Sequence, residues 1–283
     1  METKFFSNDT HVGAVHLNVN FMDNSIKFYT EILGLHLLET TDEYTVIGTE
    51  KRPLIYLYPT TKPRVQTAGL FHFALLVPSR EALGNIFLHL IKTEYPLAGA
   101  SDHDVSEAIY LQDPEGNGIE IYRDLPSESW QFEENGNIVM GTKEMDYQGV
   151  IAANHDAPFK GMHPDTIMGH MHLSVIQLQE TMAFYEDFFG MDTMTTYGPS
   201  AAFLSAGGYH HHLGLNTWNR LDKRPELDAP GLRRFDIHMP HEEDVAHFTK
   251  LMTEKGLTMH KDGNSEYVMD PNGIGVRLMI RNK

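Results

Sequence analysis

The chain repeats itself, and the repeat constrains its fold more than any other feature. Around Phe28-Tyr29 it reads S-I-K-F-Y-T-E-I-L-G-L, and around Phe184-Tyr185 it reads T-M-A-F-Y-E-D-F-F-G-M, so the aromatic pair and the glycine recur 156 residues apart. Asp113-Pro114-Glu115-Gly116 returns as Asp270-Pro271-Asn272-Gly273, displaced by 157. Two independent echoes at one period mark a duplicated unit. With 283 residues in all, each copy is long enough to bury a core of its own.

Each copy divides again into two smaller units of one plan, strand, helix, then further strands. The first module has a strand over Val15–Val19, a helix from Asp23 to Leu33 that stops at Gly34, and strands at Tyr44–Ile47 and Leu54–Tyr58. The second has a strand from Gly69 to Val77, a helix near Arg80 to Ile91, and strands at Ala108–Leu111 and Gly118–Tyr122. A turn signal at Asp113-Pro114-Glu115-Gly116 separates those last two strands. The third places strands at His170–Val175, Ala202–Leu204 and Leu213–Leu215 around a helix from Leu178 to Phe189. The fourth places strands at Phe235–Met239, Tyr267–Met269 and Val276–Ile280 around a helix from Glu242 to Lys255. The expected architecture is α+β, with modules at 1–66, 67–126, 167–222 and 223–283 and a polar, proline-containing connector at 127–166.

Formal charge is −17, from 39 acidic and 22 basic residues, a surface that repels nucleic-acid phosphates and anionic lipid. No apolar run approaches the ~20 residues of a membrane span. Met1–Ser7 lacks the apolar core of a secretory signal. With no cysteine, disulfides and thiolate metal sites are excluded, and a cytoplasmic setting is the simplest expectation. Seventeen histidines stand out instead, because neutral imidazole is the commonest metal ligand.

Four βαβββ modules, the first and third carrying an F-Y-x-x-x-x-G signature, resemble the vicinal oxygen chelate superfamily of glyoxalases, bleomycin- and fosfomycin-resistance proteins and extradiol dioxygenases. Within it, D-H-D-V-S-E-A-I-Y-L-Q-D-P-E-G-N-G-I-E-I-Y (Asp102–Tyr122) and G-G-Y-H-H-H-L-G-L-N-T-W (Gly207–Trp218) look most like the bacterial catechol 2,3-dioxygenase group. The resemblance implies that paired modules curl into two cup-shaped half-barrels. It further implies a metal held by two first-strand histidines and one last-strand glutamate, the arrangement that leaves open positions on Fe(II).

Counting from recurring positions shows which modules kept such residues. The first-strand position is Ala14, His72, His170 and Arg234 in the four modules, and the glutamate position is Glu120 in module two and Arg277 in module four. His72, Glu120 and His170 are thus the expected metal ligands. They share one cup only if modules two and three pair, leaving one with four in a vestigial or structural cup. His16 and His172 lie two residues beyond the expected positions on the same strand faces and are alternatives. His16 with His72 and Glu120 would make a site under ordinary pairing. The bland reading is a hydrogen-bonded strand histidine and a glutamate lining a polar cup.

His210-His211-His212 is expected on the last strand of module three, with His210 and His212 on one face and His211 on the other. By motif His212 matches the family's acid-base histidine, and Tyr110 and His103 match the groups beside the substrate oxygens. Trp218 and Phe203 could wall an aromatic substrate, although core packing explains either. The resemblance implies extradiol cleavage of a catechol-type diol by O₂, with Fe(II) as cofactor and Mn(II) accepted by the same ligands. Exposed edges of such modules also allow a homo-oligomer. Two other readings stay open: a metal-dependent isomerase or lyase of glyoxalase type, and a non-catalytic sequestration protein. The first commonly uses two carboxylates where only Glu120 is found, and the second needs no ligand triad.

Overall fold

The computed structural model describes residues 9–262 and 265–280; the N-terminal Met1–Ser7 segment lies outside them. The first quarter runs β1 (His11–Val19), α1 (Met22–Lys27), β2 (His36–Thr40), β3 (Thr45–Thr49) and β4 (Arg52–Pro59). The second runs β5 (Gly69–Leu76), α2 (Arg80–Lys92), β6 (Leu97–Asp102), β7 (Ser106–Gln112) and β8 (Gly118–Asp124). After a connector holding α3 (Tyr147–Ala153) come β9 (Ile167–Ser174), α4 (Leu178–Phe189), β10 (Asp192–Tyr197), β11 (Ala201–Ser205) and β12 (Leu213–Asn216). The last run is β13 (Gly231–Met239), α5 (Glu242–Glu254), β14 (His260–Asp262), β15 (Ser265–Met269) and β16 (Gly275–Ile280). Two eight-stranded sheets result, ordered β14-β15-β16-β13-β1-β4-β3-β2 and β10-β11-β12-β9-β5-β8-β7-β6.

The helices are built as their sequences dictate. Ser79 caps α2 by accepting the Ala82 N–H at 3.2 Å. α4 closes on Gly190 at φ 59°, a left-handed conformation that glycine adopts without a Cβ clash. Three acidic residues, Glu242, Glu243 and Asp244, complement the positive N-terminal end of α5. The first helix departs from the expected Asp23–Leu33 span: it is α-helical only to Lys27 and continues as a wider π turn over Phe28–Ile32. Four strands that periodicity did not indicate, β2, β6, β10 and β14, complete the sheets at their outer edges.

The chain divides into two compact units: one takes in the chain up to His16, Lys62–Phe71 and the chain from Gly169, the other Leu17–Thr61 and His72–Met168. In the latter, Tyr29, Leu33, Ile47, Leu54, Ile55, Phe73 and Tyr122 are fully buried, and in the former Tyr185, Phe189, Phe235 and Phe248. Each such burial stabilises by roughly 1.5–3 kcal/mol before conformational entropy is counted.

The two sequence echoes meet in space. The Tyr29 hydroxyl donates to the Asp113 carboxylate at 2.7 Å, and the Tyr185 hydroxyl donates to Asp270 at 3.3 Å. Each aspartate also receives donors from its own turn. Asp113 accepts from the Glu115 and Asn117 N–H groups and the Asn117 amide; Asp270 accepts from the Asn272 and Ile274 N–H groups and the Asn272 amide. Burial pushes both carboxyls up despite these donors, Asp270 to about 6.

Candidate metal centre

In the unit that holds them, β5 and β8 run parallel with His72 opposite Gly118 and Ala74 opposite Glu120. That register sends the His72 and Glu120 side chains off one face, where His72 Nε2 lies 3.0 Å from a Glu120 carboxylate oxygen. Both are buried, at 7% and 3% exposure. Small residues make the room: Ala74 and Ala108 pack with Tyr122 beside the pair.

β7 lies antiparallel to β8 with Tyr110 directly opposite Glu120, so the phenol joins the same face, its ring 5.7 Å from that of His72. The Tyr110 hydroxyl is 2.7 Å from His103 Nε2, and His103 Nδ1 is 2.7 Å from the Gly141 carbonyl. A carbonyl only accepts, so Nδ1 carries a proton; in the neutral ring Nε2 then accepts from the Tyr110 hydroxyl. On the reverse side of β7, Glu107 is clamped by Arg80 at 2.8 Å and Arg123 at 2.6 Å, which fixes the strand that carries Tyr110.

In the other unit His170 is buried on β9 with the His211 ring 4.1 Å from its own and the His210 ring 6.4 Å away. His72, Glu120 and His170 are thus all buried, the first two as a contacting pair in one unit and the third on β9 of the other. Two imidazoles and a carboxylate, buried and without any thiol, are a donor set suited to a divalent first-row metal.

The histidine run is not on a strand. It falls in the loop between β11 and β12, after a turn in which Gly207 and Gly208 take φ values of 69° and 77°, and β12 begins only at Leu213. Alternation therefore does not assign its faces, and all three rings are buried. His212 turns to the β11 end: its Nδ1 accepts from the Ala206 N–H at 3.3 Å and lies 2.9 Å from the Ser205 hydroxyl. Burial, with His11, His210 and His170 nearby, lowers its pKa to about 3. His211, which the strand assumption had turned away, is the member against His170. The Gly-Gly pair was the sequence signal for that loop.

The alternatives are placed as well. His16, in β1 of the other sheet, donates Nε2–H to Asp236 at 3.1 Å, while Arg277 grips the same carboxylate at 2.6 and 2.7 Å. Burial lowers His16 to about 4. Burial alone would raise Asp236, but His16 and the Arg277 guanidinium more than reverse it and hold it at about 2. Arg234 pairs with Asp262. His172 lies beyond His170 on β9, among Phe71, Phe203 and Trp218.

A fold of repeated βαβββ units in two curled sheets defines a half-barrel class, and the sequence identifies its family. The pattern of the Glyoxalase/Bleomycin resistance protein/Dioxygenase superfamily matches residues 10–121 and again 167–278, and the chain belongs to that superfamily. It is 39% identical over 281 residues to a catechol-2,3-dioxygenase of Bacillus subtilis (strain 168), covering 96% of this chain and 98% of that one. Among solved structures, glyoxalase I from Zea mays superposes with a TM-score of 0.57 at 18% identity, over 95% of this chain and 92% of that one. The cppA protein from Streptococcus pneumoniae TIGR4 superposes with a TM-score of 0.59 at 12% identity, over 96% and 99%. These two likenesses are of fold. Among the described residues no helix is long and apolar enough to cross a membrane.

Proposed function

We propose that the chain is a non-haem, Fe(II)-dependent extradiol dioxygenase, opening the ring of a catechol-type diol with O₂ to a 2-hydroxymuconate-semialdehyde-type product. The observation that carries this reading is the buried His72–Glu120 pair on one face of β5 and β8, with His170 buried at the equivalent first-strand position of the third module. The 39% identity to a catechol-2,3-dioxygenase supports the substrate class. The three residues would hold Fe(II), or Mn(II), which accepts the same ligands. The metal would supply Lewis acidity that lowers the diol hydroxyl pKa values and open positions for diol and O₂.

The chain's own residues do the rest. Tyr110, level with Glu120 across the β7–β8 ladder, accepts a hydrogen bond from a diol hydroxyl, and its own proton already points to His103. That pair makes a two-step path for one diol proton and afterwards donates to negative charge developing on that oxygen. We assign acid-base duty to His211, the ring against His170, rather than to His212, which the motif count selects but whose Nδ1 is taken up by Ser205 and the Ala206 N–H. His72, Glu120, His170 and the histidine run are buried, and Tyr110 and His103 are half-buried, which strengthens these interactions relative to bulk water. A cytoplasmic setting suits a cysteine-free chain handling reduced iron.

The test is anaerobic reconstitution with Fe(II), followed by catechol and O₂, reading the yellow ring-opened product and oxygen uptake. Activity that is lost in His170→Ala and retained in His16→Ala is the expected result. Stoichiometric iron binding with no oxygen uptake across substituted catechols would overturn the proposal in favour of isomerase chemistry.

A further inference from the structure

A file of aromatic rings runs from His170 to the surface within one unit of the chain. His211 lies against His170; the Phe203 ring stands 5.0 Å from His211, edge to face; His172 stands 5.6 Å from Phe203. Beyond His172 come Trp218 at 5.4 Å and Phe71 at 5.0 Å, which also meet each other at 5.4 Å. Burial changes along the file: Phe203 and His172 are 8% and 4% exposed, whereas Phe71 and Trp218 are 37% and 46% exposed. Core packing accounts for the inner two rings and leaves the outer two unexplained. Large aromatic side chains clustered at the surface mark interaction sites, ligand grooves among them, and this cluster is continuous with the rings beside His170.

The backbone is arranged to permit the file. Gly214 sits in register between Phe203 on β11 and His172 on β9, so all three share one face. A Cβ at Gly214 would lie 2.8 Å from a His172 ring carbon. The missing side chain lets the two flanking rings meet across the strand between them.

We propose that Phe203, His172, Phe71 and Trp218 form a specificity wall for the substituent on the diol ring, and that they select an aryl or alkyl group there. The proposal rests on the dioxygenase reading for the diol itself. The file begins where His211 meets His170, so an aryl substituent extending along it from a diol beside those histidines would gain edge-to-face and stacked contacts. An anionic substituent is disfavoured by the −17 charge of the chain.

The experiment compares the kcat/KM ratio of 2,3-dihydroxybiphenyl to catechol in wild type, Trp218→Ala and Trp218→Phe. Anaerobic quenching of tryptophan fluorescence by each diol is read in parallel in a Trp130→Phe background. The ratio should fall about tenfold in Trp218→Ala and recover in Trp218→Phe, and the biphenyl diol should quench at lower concentration than catechol. Turnover with an unchanged ratio in Trp218→Ala would overturn the wall and leave the dioxygenase reading standing. Quenching without turnover of either diol would support the wall and overturn the chemistry. Neither quenching nor turnover would overturn both.

Discussion

Tyr29→Phe and Tyr185→Phe delete the same atom from the two copies of one device, and the structure predicts unequal losses. Tyr29 donates to Asp113 at 2.7 Å, a length typical of a strong bond to an ionised acceptor; Tyr185 donates to Asp270 at 3.3 Å, near the limit. A buried hydrogen bond to a charged group contributes roughly 1.5–3 kcal/mol, and a neutral one about 1 kcal/mol. We therefore expect Tyr29→Phe to cost about 2 kcal/mol at pH 7 and Tyr185→Phe about 1.5 kcal/mol. The second cost depends on pH. Asp270 titrates at about 6 in the folded chain against 3.8 ordinarily, so the folded form binds the extra proton between those values. Its contribution to stability is present below pH 3.8 and declines as pH rises to 6, by roughly 3 kcal/mol in all. Removing the Tyr185 donor costs the ionised form more than the neutral one, so the cost of that variant should shrink to about 1 kcal/mol at pH 5. Urea unfolding at pH 5 and 7, followed by far-ultraviolet circular dichroism, reads both quantities. A larger loss for Tyr185→Phe than for Tyr29→Phe, or a Tyr185→Phe loss identical at both pH values, would refute the reasoning.

Other perturbations have expected outcomes of the same kind. His211→Ala should lower turnover by roughly 10²–10⁴-fold, the usual range for a general acid-base group, while iron content by metal analysis stays at wild-type level. His212→Ala should chiefly lower stability, because its ring is tied to Ser205 and the Ala206 N–H; loss of turnover there with normal stability would reassign the role. Glu107→Ala removes the buried carboxylate partner of Arg123 and one of the two carboxylates on Arg80, which keeps Asp146, and should lower the unfolding free energy by about 2 kcal/mol, below the range for a fully buried pair, measured in urea. Gly214→Ala should cost about 1–3 kcal/mol by overpacking against His172, read as a lower thermal midpoint.

What the sequence concealed has a common physical cause. α4 is legible to the residue, Leu178–Phe189, because a full apolar stripe ends on a glycine. β2, β6, β10 and β14 are the outermost strands of the two sheets, each with one neighbour. Every residue of β2 is exposed, Leu37 and Leu38 included, so nothing in it alternates. An edge strand is held by its partner's backbone rather than by a buried face, and hydrophobic periodicity cannot report it. The candidate metal residues were easier to find, since duplicated landmarks allow counting to equivalent positions. His211 was harder, because a run of three identical residues carries no period and its backbone is a loop.

The network of His16, Asp236 and Arg277 bears on the stoichiometry of the protein. A guanidinium and a protonated imidazole nitrogen already satisfy the one buried carboxylate there, and Arg234 adds further positive charge. A divalent cation entering that sheet would have to displace an arginine from its aspartate. Metal analysis should therefore return one equivalent per chain despite the duplication. Chelation should loosen the sheet holding His72 and Glu120 while the amides of β1, β13 and β16 exchange hydrogen at their original rates, an internal reference carried within the same molecule.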